Sequence, residues 1–214
     1  MKNIIFDFDG TVIDSSECIF GIYKKLFAEL GLKQPSANIL RSFIGPPIEY
    51  VIKDYVDESK VEETAARFRE LYKAEDLKSA NKLYKGIPQL LEMLVLAGKR
   101  LFIATTKNEN TAIKIAELLN VKKYFIGICG SRFDINRLTK YDVIDTLCNT
   151  FDIDKNDCIM IGDTHFDAEG ASIANIPVAI VNYGFGDEEK LSKYKIVFRA
   201  DTTEELGKKL LETV

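Results

Sequence analysis

Hydrophobic positions change their spacing twice along this chain, and the changes divide it into three stretches. Ile4, Ile5 and Phe6 form a short continuous apolar run, the signature of a buried strand. The spacing then turns helical. Ile19, Ile22, Tyr23, Leu26 and Leu30 share one face, with Asp14 or Ser15 as the cap and Gly31 as the stop. Helical spacing alone continues to about Tyr84. The break at Ile44-Gly45-Pro46-Pro47 starts a helix through Tyr50, Val51 and Tyr55, its prolines at the N-terminus, and Val61, Ala65, Phe68, Leu71 and Tyr72 mark another. From Gly86 onward apolar strands alternate with amphipathic helices. A helix opens at Pro88, carries Leu90, Leu91, Leu94 and Val95, and ends at Gly98. Strands are predicted at 101–104, 124–129, 158–161 and 177–181, with a weaker one at 196–198. Helices are predicted near 111–119, 141–151, 167–174 and 203–211.

Strands that alternate with helices in this way form a parallel sheet covered on both faces. The stretch between the first strand and the second is too long for a simple crossover. The expected fold is therefore α/β: a doubly wound parallel-sheet core from residues 1–14 and 85–214, with an all-helical insertion over 15–84.

Composition narrows the picture by exclusion. A net charge of -4 over 214 residues supplies no basic field for a nucleic acid polymer and no polybasic signal for a membrane. No apolar run approaches the roughly 20 residues of a bilayer span. Met1 leads directly into a strand, without a basic segment and apolar run before it. Cys18, Cys129, Cys148 and Cys158 are scattered, with no CxxC pair, and read as reduced core cysteines. A cytoplasmic monomer or weak dimer is the expectation.

In such sheets ligands bind at the carboxyl ends of the strands, and those ends carry the polar chemistry. Asp7 and Asp9 follow the first strand at i and i+2, where extended side chains point the same way, and Gly10 turns the chain. Two carboxylates about 4 Å apart repel by roughly 4 kcal/mol at an effective dielectric near 20. Either one keeps its proton, a cation lies between them, or both are solvated turn residues. After 101–104 come Thr105, Thr106, Lys107 and Asn108, which read as an anion site at a helix start or simply as a helix cap. Gly162-Asp163-Thr164-His165-Phe166-Asp167 follows 158–161. Its two acids, four apart, share a face if a helix begins there, although an acid in a first helical turn is favoured by the macrodipole in any case. Thr139 reads as an N-cap. That puts Lys140 at the first helical position, where a cation is disfavoured unless it faces acids or phosphate. His165, the only histidine, is given no catalytic role. Hard oxygen donors with few nitrogens suit Mg²⁺. The chain has no P-loop, no histidine cluster for zinc, no Ser–His–Asp set and no GxGxxG after the first strand.

Phe6-Asp7-Phe8-Asp9-Gly10-Thr11, Thr105, Lys140 and Gly162-Asp163 with Asp167 resemble the four ordered motifs of the haloacid dehalogenase superfamily. The helical insertion is similar to the cap of its phosphoglycolate phosphatase-like branch, on a Rossmann-like core. The resemblance implies an aspartyl-phosphate mechanism, with Asp7 as nucleophile and Asp9 as acid and base. It implies that Gly10, Thr105, Thr106, Lys107 and Lys140 surround the substrate phosphate. Asp7, the Asp9 carbonyl and Asp163 would bind Mg²⁺, with Asp167 in support. The substrate implied is a small phosphomonoester of the phosphoglycolate kind, with nucleoside monophosphates as the alternative. A phosphomutase of the β-phosphoglucomutase type is disfavoured by the absence of a histidine between Asp14 and Tyr23. A binding-only regulator is disfavoured by Asp9, and a receiver-like domain by the insertion. Arg41, Tyr50 and Lys53 are candidates for contact with the rest of the substrate, or form a solvated helix face. The connections near Val12–Ser16 and Lys82–Gly86 read as a hinge pair.

Overall fold

The computed structural model describes residues 1–212. They form β1 (Asn3–Phe6), β2 (Ile13–Asp14), α1 (Ser16–Glu29), α2 (Ala37–Ser42), α3 (Ile48–Ile52), α4 (Val61–Ala74), β3 (Lys82–Leu83) and α5 (Ile87–Leu96). The chain continues with β4 (Arg100–Asn108), α6 (Glu109–Leu118), β5 (Gly127–Ser131), α7 (Lys140–Thr150), β6 (Cys158–Gly162), α8 (His165–Ile173), β7 (Val178–Val181), α9 (Glu188–Leu191), β8 (Ile196–Ala200) and α10 (Thr203–Glu212). The large sheet is parallel throughout, in the order β5-β4-β1-β6-β7-β8. The order reverses beside β1, which opens a crevice at its carboxyl end.

Two apolar clusters cover the two faces of the sheet, so β1 contributes Ile4 and Phe6 to one and Ile5 to the other. A third cluster lies wholly in the helical insertion, where Tyr23, Phe27, Leu40, Phe43, Val51, Ile52 and Ala65 pack together. The insertion thus has a core of its own. Its two connections to the sheet are zipped by a short antiparallel ribbon, Ile13 opposite Leu83 and Asp14 opposite Lys82. The expected hinge pair is therefore a paired ribbon rather than two loose strands of chain.

Several boundaries differ from the sequence reading, most of all at the crevice. β4 does not stop at Ala104 but runs through Thr105–Lys107 to Asn108, so α6 starts at Glu109 with Asn108 as its cap. The longer β4 pairs Asn108 with Ser131 and draws β5 towards the crevice. Tyr124, expected to open a strand over 124–129, instead ends a 3₁₀ turn at Lys122–Tyr124, and the strand runs over Gly127–Ser131. The strand expected at 196–198, β8, extends to Ala200. The four cysteines are buried and free. Among the described residues no helix is long and apolar enough to cross a membrane.

Candidate active site

The strand ends at the crevice bring Asp7, Asp163, Asp167 and Lys140 together. Asp7 is fixed by its backbone N–H, which donates to the Ile161 carbonyl at 2.8 Å as β1 leaves the sheet. Gly10 follows with φ +87°, and a Cβ there would lie 2.1 Å from Asp163 Oδ2, so only glycine lets the turn approach that carboxylate. Asp163 Oδ2 accepts the Phe185 N–H at 2.7 Å. Asp167 has two duties. Its Oδ2 accepts from the backbone N–H groups of Asp163 and Thr164 at 3.2 and 2.9 Å, a helix-capping role. Its Oδ1 faces Lys140 Nζ at 2.7 Å.

Lys140 is the first residue of α7, behind a Thr139 capping box, as the sequence implies. Its buried ammonium reaches Asp7 Oδ1 at 2.6 Å and the Ala104 carbonyl at 3.1 Å. The macrodipole disfavours a cation at this position, and the facing carboxylates outweigh that effect. Burial alone would discharge the ammonium, but Asp167 and Asp7 hold its pKa above the ordinary lysine value. Burial pushes the Asp7 carboxyl up to about 7 against the pull of Lys140, with Asp167 and Asp9 adding to the rise. Burial, then Asp167 and Asp7, raises Asp163 well above the usual carboxylate range.

Oxygen atoms of Asp7, Asp163 and Asp167 lie within 4.8 Å of one another. Three carboxylates against one ammonium leave a formal charge of -2 in a buried space. Asp167 Oδ1, moreover, has no hydrogen bond of good geometry. Hard oxygens carrying that excess charge fit a divalent cation of the Mg²⁺ kind.

Asp9 stands apart from this trio. Both oxygens of its carboxylate are gripped by Lys107 Nζ, at 2.8 and 3.1 Å. Lys107, expected around the substrate phosphate, places its ammonium on Asp9. Thr105 is buried at the crevice, and its hydroxyl accepts the Lys107 N–H at 3.2 Å. Thr106 donates to the Gly45 carbonyl of the insertion at 2.8 Å.

A cavity of about 290 Å³ opens over Asp7, Asp9, Thr105, Thr106 and Lys107. Its far wall belongs to the insertion and is largely aromatic: Tyr23, Phe43, Phe68 and Tyr72, with Phe133 of the sheet side at its rim. Arg69 and Lys73 of α4 also line it. Arg41 and Tyr50 line a different cavity, alongside His165 and Phe166. Arg41 donates to the Gly184 carbonyl at 2.9 Å, and Lys53 sits over the Tyr50 ring at 4.1 Å. Tyr23, Phe68, Tyr72 and Arg69 escape sequence reading as site residues because their spacing is that of any amphipathic helix.

A model of the haloacid dehalogenase-like hydrolase family matches residues 4–181, a span holding all four strand-end motifs, and the chain belongs to that family. A 5'-nucleotidase of Pseudomonas aeruginosa is 35% identical over 195 residues, 90% of this chain and 88% of that one. A phosphoglycolate phosphatase of Aquifex aeolicus is 29% identical over 186 residues, 86% of each chain. Among solved structures, a protein of Clostridium acetobutylicum described as a predicted phosphatase superposes with a TM-score of 0.92. It is 34% identical, and the match covers 99% of this chain and 98% of that one.

Proposed function

We propose that the chain is a Mg²⁺-dependent phosphatase that hydrolyses a small phosphomonoester through an aspartyl-phosphate on Asp7. The observation that carries the reading is the buried Asp7 carboxylate, aligned by Lys140 at 2.6 Å and open to the cavity on the sheet side. An Asp7 oxygen attacks phosphorus as the bond to the ester oxygen breaks, and Asp9 passes a proton to that oxygen. Asp9 then takes a proton from water as the water oxygen attacks phosphorus, which releases phosphate and frees Asp7. Lys140 and Thr105 hold the transferring group, with the backbone at Gly10 and Thr106 beside it. Asp7, the Asp9 carbonyl and Asp163 would hold Mg²⁺, steadied by Asp167. When bound, the ion supplies charge neutralisation for the phosphoryl oxygens.

The substrate reading has two branches. Phosphoglycolate would match its carboxylate to Arg69 or Lys73. A nucleoside 5'-monophosphate would lay its base against the aromatic wall, and the cavity's lining supports this second branch. The insertion acts as a cap that sets the choice, a role that falls to Arg69 and the aromatic wall more directly than to Arg41, Tyr50 and Lys53. The test is turnover of p-nitrophenyl phosphate, phosphoglycolate and nucleoside monophosphates with Mg²⁺ and with excess EDTA. Full turnover in EDTA, or none with Mg²⁺, sinks the reading.

A further inference from the structure

Tyr72 belongs to α4, yet it reaches from the insertion to the site. Among the described residues it alone packs against both the insertion's apolar cluster and the cluster on one face of the sheet. Its ring centroid lies 4.9 Å from Lys107 Nζ, within the range of a cation–π contact. Its hydroxyl oxygen is buried without a hydrogen-bond partner of good geometry, so the ring contact is the one that the geometry defines. Lys107 in turn grips both oxygens of Asp9, a pair whose side chains are only 8% and 10% exposed.

We infer that Tyr72 is a positioning residue: its ring holds the Lys107 ammonium, and Lys107, donating to Asp9 Oδ1 at 2.8 Å, orients the carboxyl group so that its other oxygen carries the proton to the leaving oxygen. The inference rests on the phosphatase reading above, with Asp9 as the group that protonates that oxygen. It makes the insertion part of the chemistry and not only of substrate choice. If the insertion moves away, the face of Lys107 covered by Tyr72 opens to water and the clamp on Asp9 loosens. Closure therefore completes the acid at the moment substrate is enclosed.

A merely structural Tyr72 and a positioning Tyr72 differ in one readout. Nitrophenolate leaves without a proton, whereas an alkyl oxygen needs one. The experiment compares kcat/KM on p-nitrophenyl phosphate with that on the best of a panel of alkyl monophosphates, including phosphoglycolate and adenosine 5'-monophosphate. It is run on wild type, Lys107→Met, Tyr72→Leu and Tyr72→Phe. The alkyl-to-aryl ratio should fall by about tenfold or more in Lys107→Met and Tyr72→Leu, because a small misplacement of a catalytic group is costly. Tyr72→Phe, which keeps the ring, should restore the wild-type ratio to within about threefold. Equal losses on both ester classes, or a ratio in Tyr72→Leu that matches wild type, overturn the inference. So does a wild type that turns over the aryl ester and no alkyl ester. A wild type inactive on every ester brings down the phosphatase reading itself, and this inference with it. Circular dichroism and thermal melts of each variant separate these outcomes from unfolding.

Discussion

The cavity has a wall made by the sheet and a wall made by the helical insertion, and the two are built on different principles. On the sheet side the acids and Lys140 are charged, buried and held from several directions. Lys140 meets Asp7, Asp167 and the Ala104 carbonyl, and Asp167 also caps α8. On the insertion side the groups are rings held by one another, such as Tyr23 against Phe43 at 4.7 Å and against Phe68 at 4.9 Å. A charge network of the first kind tolerates the loss of its one ammonium poorly, because that strands the facing carboxylates in low dielectric. An aromatic cluster of the second kind can be re-cut one ring at a time, at the cost of packing alone. Chemistry common to a family therefore suits the sheet wall, and selection among substrates suits the insertion wall.

The largest effect should come from the centre of the sheet wall. Asp7→Asn keeps the volume and removes the attacking oxygen, so turnover should fall by more than about a hundredfold. Folding should not suffer. The substitution removes a carboxylate whose ionisation burial already resists, with a pKa pushed up to about 7. Steady-state kinetics beside a thermal melt checks both halves, and a variant retaining more than about a hundredth of wild-type turnover contradicts the nucleophilic role. Lys140→Met should do the reverse on stability. It strands two buried carboxylates at 2.6 and 2.7 Å from the lost ammonium, and should cost about 3–5 kcal/mol in denaturant melts of the metal-free protein. A melt within about 0.5 kcal/mol of wild type would mean that the acids are not held by this lysine.

The same wall should make the metal-free protein pH-sensitive. Asp7 and Asp163 have folded-state pKa values above their unfolded values. Between those values the folded chain binds more protons than the unfolded one, so stability falls as pH rises. For Asp7 the window runs from about 4 to about 7. Without metal the protein should melt several degrees lower at pH 8 than at pH 5. Added Mg²⁺ should recover more of the difference at pH 8, where the acids are free to bind it. A metal-free melting temperature that rises steadily over this range would contradict the buried-acid account.

How much of this was legible in the sequence follows the same division. Asp7 and Asp9, Lys140 at a helix start and Asp163 with Asp167 all obey local rules of spacing. Strand alternation, an N-cap and a strand-to-helix turn suffice to bring them to one end of the sheet. Tyr72 over Lys107 and Arg69 over Phe133 are contacts across 35 and 64 positions of sequence that no local rule encodes. On α4, Phe68 and Tyr72 have the spacing of ordinary core residues. Arg41, Tyr50 and Lys53 drew notice because they flank a proline break, but the α2–α3 turn carries Arg41 and Tyr50 to the other cavity. The polar run Thr105–Asn108 hid the end of β4, since a strand leaving the core for a crevice loses its apolar signature just where it matters.

The smallest effect should come from the cavity's rim, where a sheet-side ring meets the insertion wall, and it sharpens the contrast most. Phe133 sits in the 3₁₀ turn after β5, half-exposed, with the Arg69 guanidinium 4.2 Å from its ring centroid. Arg69 is also paired with Glu49, and all three residues line the cavity. Phe133→Ala removes an exposed ring, so stability should move by no more than about 0.5 kcal/mol. A base stacked there would lose about 0.5–1.5 kcal/mol. The KM for adenosine 5'-monophosphate should then rise about 3–10-fold, with kcat within about twofold of wild type, because a binding contact far from phosphorus is lost equally from ground and transition states. Phosphoglycolate has no base to lay against the ring, so its KM should change less. Had the ring served the sheet wall's chemistry instead, kcat would fall on both substrates together, and the division of labour between the two walls would fail.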